Sequence, residues 1–261
     1  MRLAVLTLWQ REIVRFYRQR SRIVGALATP ILFWLLLGSG FAGTFRSGGA
    51  GDGIGYAEYF FPGAMVMVIL FTAIFSTISV IEDRKEGFLQ AVLVAPVPRV
   101  AIVLGKILGG SSLALAQALL LLLAAPLVGV SLGLGNLLSL VALLAMIAIG
   151  LTTLGFLIAW KMDSTQGFHA VMNLLLIPMW LLSGAFFPAD GASPWLRFVM
   201  AINPLTYGMA AVRHCIDPSG AAIGADVPGF TLSVLVTLAF TVAGLLLARR
   251  MVAQPLDPGL A

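Results

Sequence analysis

Three sets of residues in this chain have types and spacings that could do chemistry. Ser183-Gly184, with His169 and His214, could supply a nucleophile and a base for an intramembrane protease. Gly105-Lys106 could belong to a loop that cradles phosphate. Glu82, Asp83, Arg84, Lys85, Glu86 and Gly87, followed by Phe88, Leu89, Val92 and Leu93, could dock a partner by charge and apolar contact. The first set fails on context, because Ser183 lacks G-x-S-G surroundings, and the order of apolar spans puts His169 at the inner boundary of a membrane and His214 outside it. The second also fails. Ile107 follows Lys106 and the upstream glycine of G-x-x-x-x-G-K-[ST] is missing, so this chain has no loop for ATP hydrolysis. No H-E-x-x-H or paired carboxylate offers a metal site, and Cys215 is the single cysteine. The docking set remains.

The elements that must position it are membrane helices. The 261 residues are 60% hydrophobic and 10% charged, where a soluble domain carries roughly 25% charged residues. Six stretches hold no Asp, Glu, Lys, Arg or His: 23–41, 60–81, 107–130, 137–160, 170–187 and 230–248. Each is close to the roughly 20 residues that cross a bilayer as a helix. Backbone groups in lipid must be satisfied internally, and these runs lack the alternation of barrel strands. The expected fold is therefore an all-α membrane protein with six transmembrane helices.

Charge sets the orientation. Of the 16 Lys and Arg, only Arg46, Arg197 and Arg213 lie on the side opposite the N-terminus. The positive-inside rule then places both termini in the cytoplasm of a cell (inner) membrane. The net charge of +5 follows this topology and does not imply a nucleic-acid partner. The long basic leader and the missing small-x-small site predict a retained anchor, not a cleaved signal peptide. Within residues 1–22, Arg11, Arg15, Arg18 and Arg22 share one helical face, and Val5, Trp9, Ile13 and Phe16 the opposite one. This predicts a basic amphipathic helix on the inner leaflet.

The loop 82–99 lies between the second and third spans, hence in the cytoplasm. Phe88, Leu89, Val92 and Leu93 fall on one face of a short helix that Pro96 and Pro98 end. A mixed-charge start beside an apolar face suits a protein groove better than a lipid surface. Polar span residues such as Thr72, Ser76, Gln117 and Asn173 hydrogen-bond between helices or line a path. Pro30 and Pro178 are expected to kink their spans. The outer segment 188–229 predicts two short helices, with Asn203 capping the second and Pro204 at its first position.

The stretch "EDRKEGFLQAVLVAPVPRVAIVLGK" resembles the second-loop pattern of ABC-2 type transport permeases, membrane subunits of ATP-binding-cassette exporters. Matching positions are Glu86, Gly87, Leu89, Val92, Leu93, Pro96, Val97, Arg99, Gly105 and Lys106. "INPLTYGMAAVR" resembles the segment before that family's final span, and the likeness covers nearly the whole chain. The drug, lipooligosaccharide and polysaccharide export branch is most similar. Phe88 and Gln90 depart from the family's usual Thr and Glu.

The resemblance implies that 82–99 holds a coupling helix docking into a cytoplasmic ATP-binding-cassette ATPase, with the N-terminal helix as the other wall. Phe88, Leu89, Val92 and Leu93 would be apolar contacts, so Leu89→Asp or Phe88→Ala should weaken docking without unfolding the spans. It further implies a homodimer, an outer gate of re-entrant-type helices near Asn203, Pro204 and Tyr207, and outward movement of a drug, lipid or lipid-linked glycan. ATP and Mg would sit on the partner ATPase, with no cofactor on this chain. The six spans hold no carboxylate for a proton relay, which weighs against the alternative, a secondary carrier or channel not coupled to ATP.

Overall fold

The computed structural model describes residues 1–41, 55–187, 189, 192–217 and 227–253. Among these, no strand occurs and ten α-helices follow one another: α1 (Arg2–Arg18), α2 (Arg20–Gly40), α3 (Tyr56–Lys85), α4 (Phe88–Val94), α5 (Arg99–Leu122), α6 (Leu134–Trp160), α7 (Thr165–Trp180), α8 (Pro194–Ile202), α9 (Pro204–Ile216) and α10 (Phe230–Ala253). Six of them are long and apolar enough to cross a membrane: α2, α3, α5, α6, α10, and α7 with its extension to Ala185.

α3 forms the centre of the bundle. Phe60, Phe61, Met65, Ile69, Leu70 and Ile81 are fully buried along it, and α2, α5, α6 and α7 pack around it. Its 30 residues span about 45 Å, longer than a hydrocarbon core of about 30 Å. The last turn, Glu82 to Lys85, therefore projects beyond the apolar layer. α2 and α10 instead expose Leu32, Leu35, Leu36, Leu235, Leu238 and Leu246, the surface expected of helices that meet lipid or another membrane helix.

The expected third span, 107–130, is displaced. α5 starts and ends about two turns earlier, and a short 3-10 turn, Ala125–Val128, follows it before Gly129 reverses the chain at φ 77°. Scoring any charge as a boundary excluded Lys106, yet Lys106 lies inside the helix, buried by its own carboxylate partners. The fourth and sixth spans start at or near their expected positions, at Leu134 and Phe230. The fifth changes form after Pro178: α7 gives way to a turn of π-helix, Leu181–Ala185, in which Gly184 leaves helical geometry at φ 80°. Of the outer segment 188–229, α8 and α9 are described, while 188, 190, 191 and 218–226 lie outside the described residues, as do Arg46 and most of the Gly-rich tract.

Candidate functional site

The charged end of the bundle is built from α1, the last turn of α3, α4 and the start of α5. Gly87 ends α3 in the left-handed region at φ 75°, a conformation that favours glycine. The Glu86 N–H donates to the Glu82 carbonyl at 2.9 Å and the Gly87 N–H to the Arg84 carbonyl at 3.2 Å. This turn redirects the chain straight into α4. Extended Ala95 and Pro98 then carry the chain into α5.

Inside this end lies a compact ionic cluster. Asp83 is fully buried, and Arg11 holds it with both arms of its guanidinium, at 2.8 and 2.7 Å. Arg15 donates to Asp83 at 2.6 Å and to Glu82 at 2.7 Å. The buried Lys106 ammonium pairs with Asp83, with Glu12 at 2.6 Å and with the Ser79 hydroxyl at 3.0 Å. Three cations, Arg11, Arg15 and Lys106, thus face the carboxylates of Glu12, Glu82 and Asp83, with exposed Glu86 3.6 Å from Arg15 at the edge. Burial works against the Arg11 charge, yet the Asp83 hydrogen bond and the fields of Asp83, Glu12 and Glu86 outweigh it and raise its pKa.

The same end is wired outward by two arginines. Arg84 donates to the Trp160 carbonyl and, at 3.1 Å, to the Met162 carbonyl, which caps the end of α6. Arg99 donates to the Val252 carbonyl at 3.2 Å, near the end of α10. Both cations occupy helix C-termini, where the orphan carbonyls and the macrodipole favour them.

At the opposite end, α9 carries a second constellation. Asn203 caps it, its side-chain oxygen accepting from the Leu205 N–H at 3.0 Å, while its amide donates to the Met179 carbonyl at 2.6 Å. Pro204 stands at the first position, where its missing N–H costs nothing. The Tyr207 hydroxyl donates to the Ala201 carbonyl at 2.8 Å. Buried Arg213 donates to the carbonyls of Tyr59 (3.1 Å) and Gly184 (2.8 Å), its guanidinium 3.9 Å from the centre of the Tyr59 ring.

The ABC-2 type transporter family model matches residues 4–216 of this chain. The chain belongs to that family. Relatives agree in length as well as sequence. A transport permease named ycf38 from Cyanophora paradoxa is 25% identical over 257 residues, covering 95% of this chain and 88% of its own. Nodulation protein J of Neorhizobium galegae is 25% identical over 94% of this chain and 93% of its own. The inner membrane transport permease YadH of Escherichia coli K12 is 24% identical over 81% and 82%.

In this ABC-2 family member the predicted docking residues divide sharply. Asp83, Arg84 and Leu89 are buried, so their side chains are not offered to a partner. Phe88, Val92 and Leu93 are half-buried and pack onto the protein's own core, with the Arg11 guanidinium 3.7 Å from the centre of the Phe88 ring. Of the four residues expected to contact the ATPase, Leu89 is buried within the chain itself, and Phe88, Val92 and Leu93, partly exposed, also anchor α4 to the bundle. What α4 and its approach turn outward is Lys85, Glu86, Gly87, Ala91 and Val94. Leu89→Asp would therefore place a charge in the core.

The N-terminal helix is also corrected. Gln19 interrupts it before α2. Arg11 and Arg15 turn inward to the carboxylates, and α1 packs against α5, not flat on lipid alone. Gly105 and Gly109 permit the approach: a Cβ at Gly105 would come within 2.5 Å of the Leu8 Cβ, and one at Gly109 within 2.6 Å of the Glu12 Cβ. Gly105→Val is expected to push α1 off α5 and cost about 1–3 kcal/mol. Trypsin cleavage after Arg11 or Arg15 should then quicken; unchanged cleavage would mean that α5 tolerates the branch. Sequence reasoning missed Glu12 and the ionic role of Lys106. The hydrolase constellation does not assemble, since Ser183 donates to the Trp180 carbonyl at 2.6 Å and His214 bonds the Pro228 carbonyl at 3.1 Å.

Proposed function

We propose that this chain is the membrane-spanning subunit of an ATP-driven exporter, with both termini in the cytoplasm and cytoplasmic ATP-binding-cassette ATPase subunits seated on the charged end. One observation carries this reading. α4 is held rigidly by its own apolar face, and the elements around it are tied by ion pairs and helix caps to α1, α6 and α10. A push delivered to its outward surface has a stiff route into those helices. In this reading ATP and Mg stay on the partner, and the cargo is an amphipathic drug, lipid or lipid-linked glycan.

A second copy is placed against α7. Gln166, His169 and Asn173 are exposed along one side of that helix, and Phe75 lies 5.6 Å from the His169 ring. A polar side chain within a span is costly against lipid and favours a cavity or another helix. The cargo path is assigned to this face, with α8, α9 and the residues Asn203, Pro204 and Tyr207 closing its outer end.

Val94 tests the docking surface, because it is 86% exposed and its replacement leaves the core intact. Val94→Asp should cut co-purification of the ATPase subunit from solubilised membrane by roughly tenfold, the effect of losing one well-placed apolar contact and burying a charge. Unchanged co-purification would remove α4 from the interface. The thermal midpoint of the isolated chain should stay within experimental scatter.

A further inference from the structure

Of the exposed cations at the charged end, Lys161 and Arg250 share one cavity. Arg11, Arg15, Arg84, Arg99 and Lys106 all have protein partners. Lys161 and Arg250 are exposed and have no side-chain hydrogen bond or ion pair among the described residues. Both line one cavity of about 610 Å³ between the ends of α6 and α10. Its remaining described walls are Leu157, Ile158, Met162, Leu247 and Met251, with no carboxylate among them.

The layering of that cavity is specific. Leu157 lies four residues before Lys161, and Leu247 three before Arg250. Each cation therefore sits about one helical turn, ~5 Å, above an apolar wall. Lys161 and Met162, after the end of α6, and Arg250 and Met251, near the end of α10, line the same cavity, at the end of the bundle where Arg84 and Arg99 cap the two helices. Two cations without side-chain partners among the described residues, set one turn beyond apolar walls, match a phosphate headgroup with the first carbons of its acyl chains. Paired cations with no carboxylate beside them, next to five apolar side chains, favour a ligand that joins an anionic group directly to hydrocarbon.

We infer that this cavity is a binding site for an anionic phospholipid of the cytoplasmic leaflet, its phosphate held by Lys161 and Arg250 and its upper acyl chain lying on Leu157, Ile158 and Leu247. The leaflet rests on the orientation proposed above; the lipid class does not. Bound lipid would bridge α6 and α10, the two helices that Arg84 and Arg99 tie to the α4 region.

The test is native mass spectrometry of the purified full chain, titrated with phosphatidylglycerol and separately with phosphatidylcholine. The wild type should retain phosphatidylglycerol on the order of tenfold better, given the gain per cation near an anionic headgroup. Lys161→Ala/Arg250→Ala should abolish that preference, and Lys161→Arg/Arg250→Lys should keep it. Both pairs are exposed, so neither threatens the fold, and matching thermal midpoints check this. Equal retention of the two lipids, or a preference untouched by the alanine pair, overturns the inference. Displacement of phosphatidylglycerol by millimolar inorganic phosphate also overturns it, because the site would then read phosphate without the chain. ATPase co-purification is scored separately, so failure here leaves the exporter reading standing.

Discussion

Asp83→Asn is expected to cost about 3–5 kcal/mol and to free the N-terminal helix, because it leaves buried cations without their shared carboxylate. Asp83 accepts from Arg11, Arg15 and Lys106 at once and is fully buried. Removing its charge leaves Arg11, Arg15 and Lys106 with Glu12, Glu82 and, at the exposed edge, Glu86. Lys106 suffers most, since it is buried and cannot turn to water. Thermal unfolding of the purified chain should show the loss, and α1 should become the first site of proteolysis.

The decisive comparison is the double variant Asp83→Asn/Lys106→Met. It removes one charge of each sign from the cluster, leaving Arg11 and Arg15 with Glu12, Glu82 and Glu86, and puts an apolar chain where the ammonium was buried. Its stability should exceed that of Asp83→Asn alone by at least about 1 kcal/mol, within the usual range of coupling for residues in one network. Strict additivity of the two losses would show that Asp83 and Lys106 act independently, and the cluster would lose its standing as a unit. The cluster also explains how a chain with so few charges spends them. Glu12 comes from α1, Asp83 from α3 and Lys106 from α5; paired, they clamp three helices that apolar contact alone would leave free to slide.

Lys106 and α4 show one problem from two sides. A lysine in a run of apolar residues looks like the end of a span until its counter-charges are known. Those counter-charges lie 94 and 23 residues away, and no local pattern announces them. In α4 the periodicity of Phe88, Leu89, Val92 and Leu93 was legible, and the helix is there. Periodicity identifies a buried face but not the surface that buries it; here that surface is the protein's own bundle. The α9 cap was legible because it is local: Asn203 and Pro204 act within two residues of themselves. The spans were legible for a different reason, since lipid imposes length and composition on every turn. α7 starts at Thr165, five residues before the expected Ala170, because His169 lies within the helix.

Arg213→Lys is expected to cost about 2–3 kcal/mol although it keeps the charge. Arg213 sits near the end of α9 with no carboxylate against it among the described residues; its partners are two carbonyls and a ring. Burial pushes its pKa down, with Tyr59 and Tyr56 opposing. A guanidinium tolerates this site because its planar fork reaches both carbonyls and its face stacks on Tyr59. An ammonium reaches fewer of these partners, is more strongly hydrated, and yields its proton more readily when buried. Either way the Tyr59 and Gly184 carbonyls lose a guanidinium donor, and Gly184 keeps only the Tyr59 hydroxyl, at about 1–3 kcal/mol. The Gly184 carbonyl is the sensitive one. It belongs to the π-helical turn after α7, and Arg213 and Tyr59 both donate to it, at 2.8 and 3.1 Å. Through that oxygen α9 is tied to the broken end of the fifth span and, through the Tyr59 carbonyl, to α3. Arg213→Ala should therefore resemble Arg213→Lys in thermal midpoint. If lysine instead restores the wild-type value, charge alone holds α9 in place and the fork has no role. If both variants fall together, geometry is what matters, and α9 moves only when the turn at Gly184 moves with it.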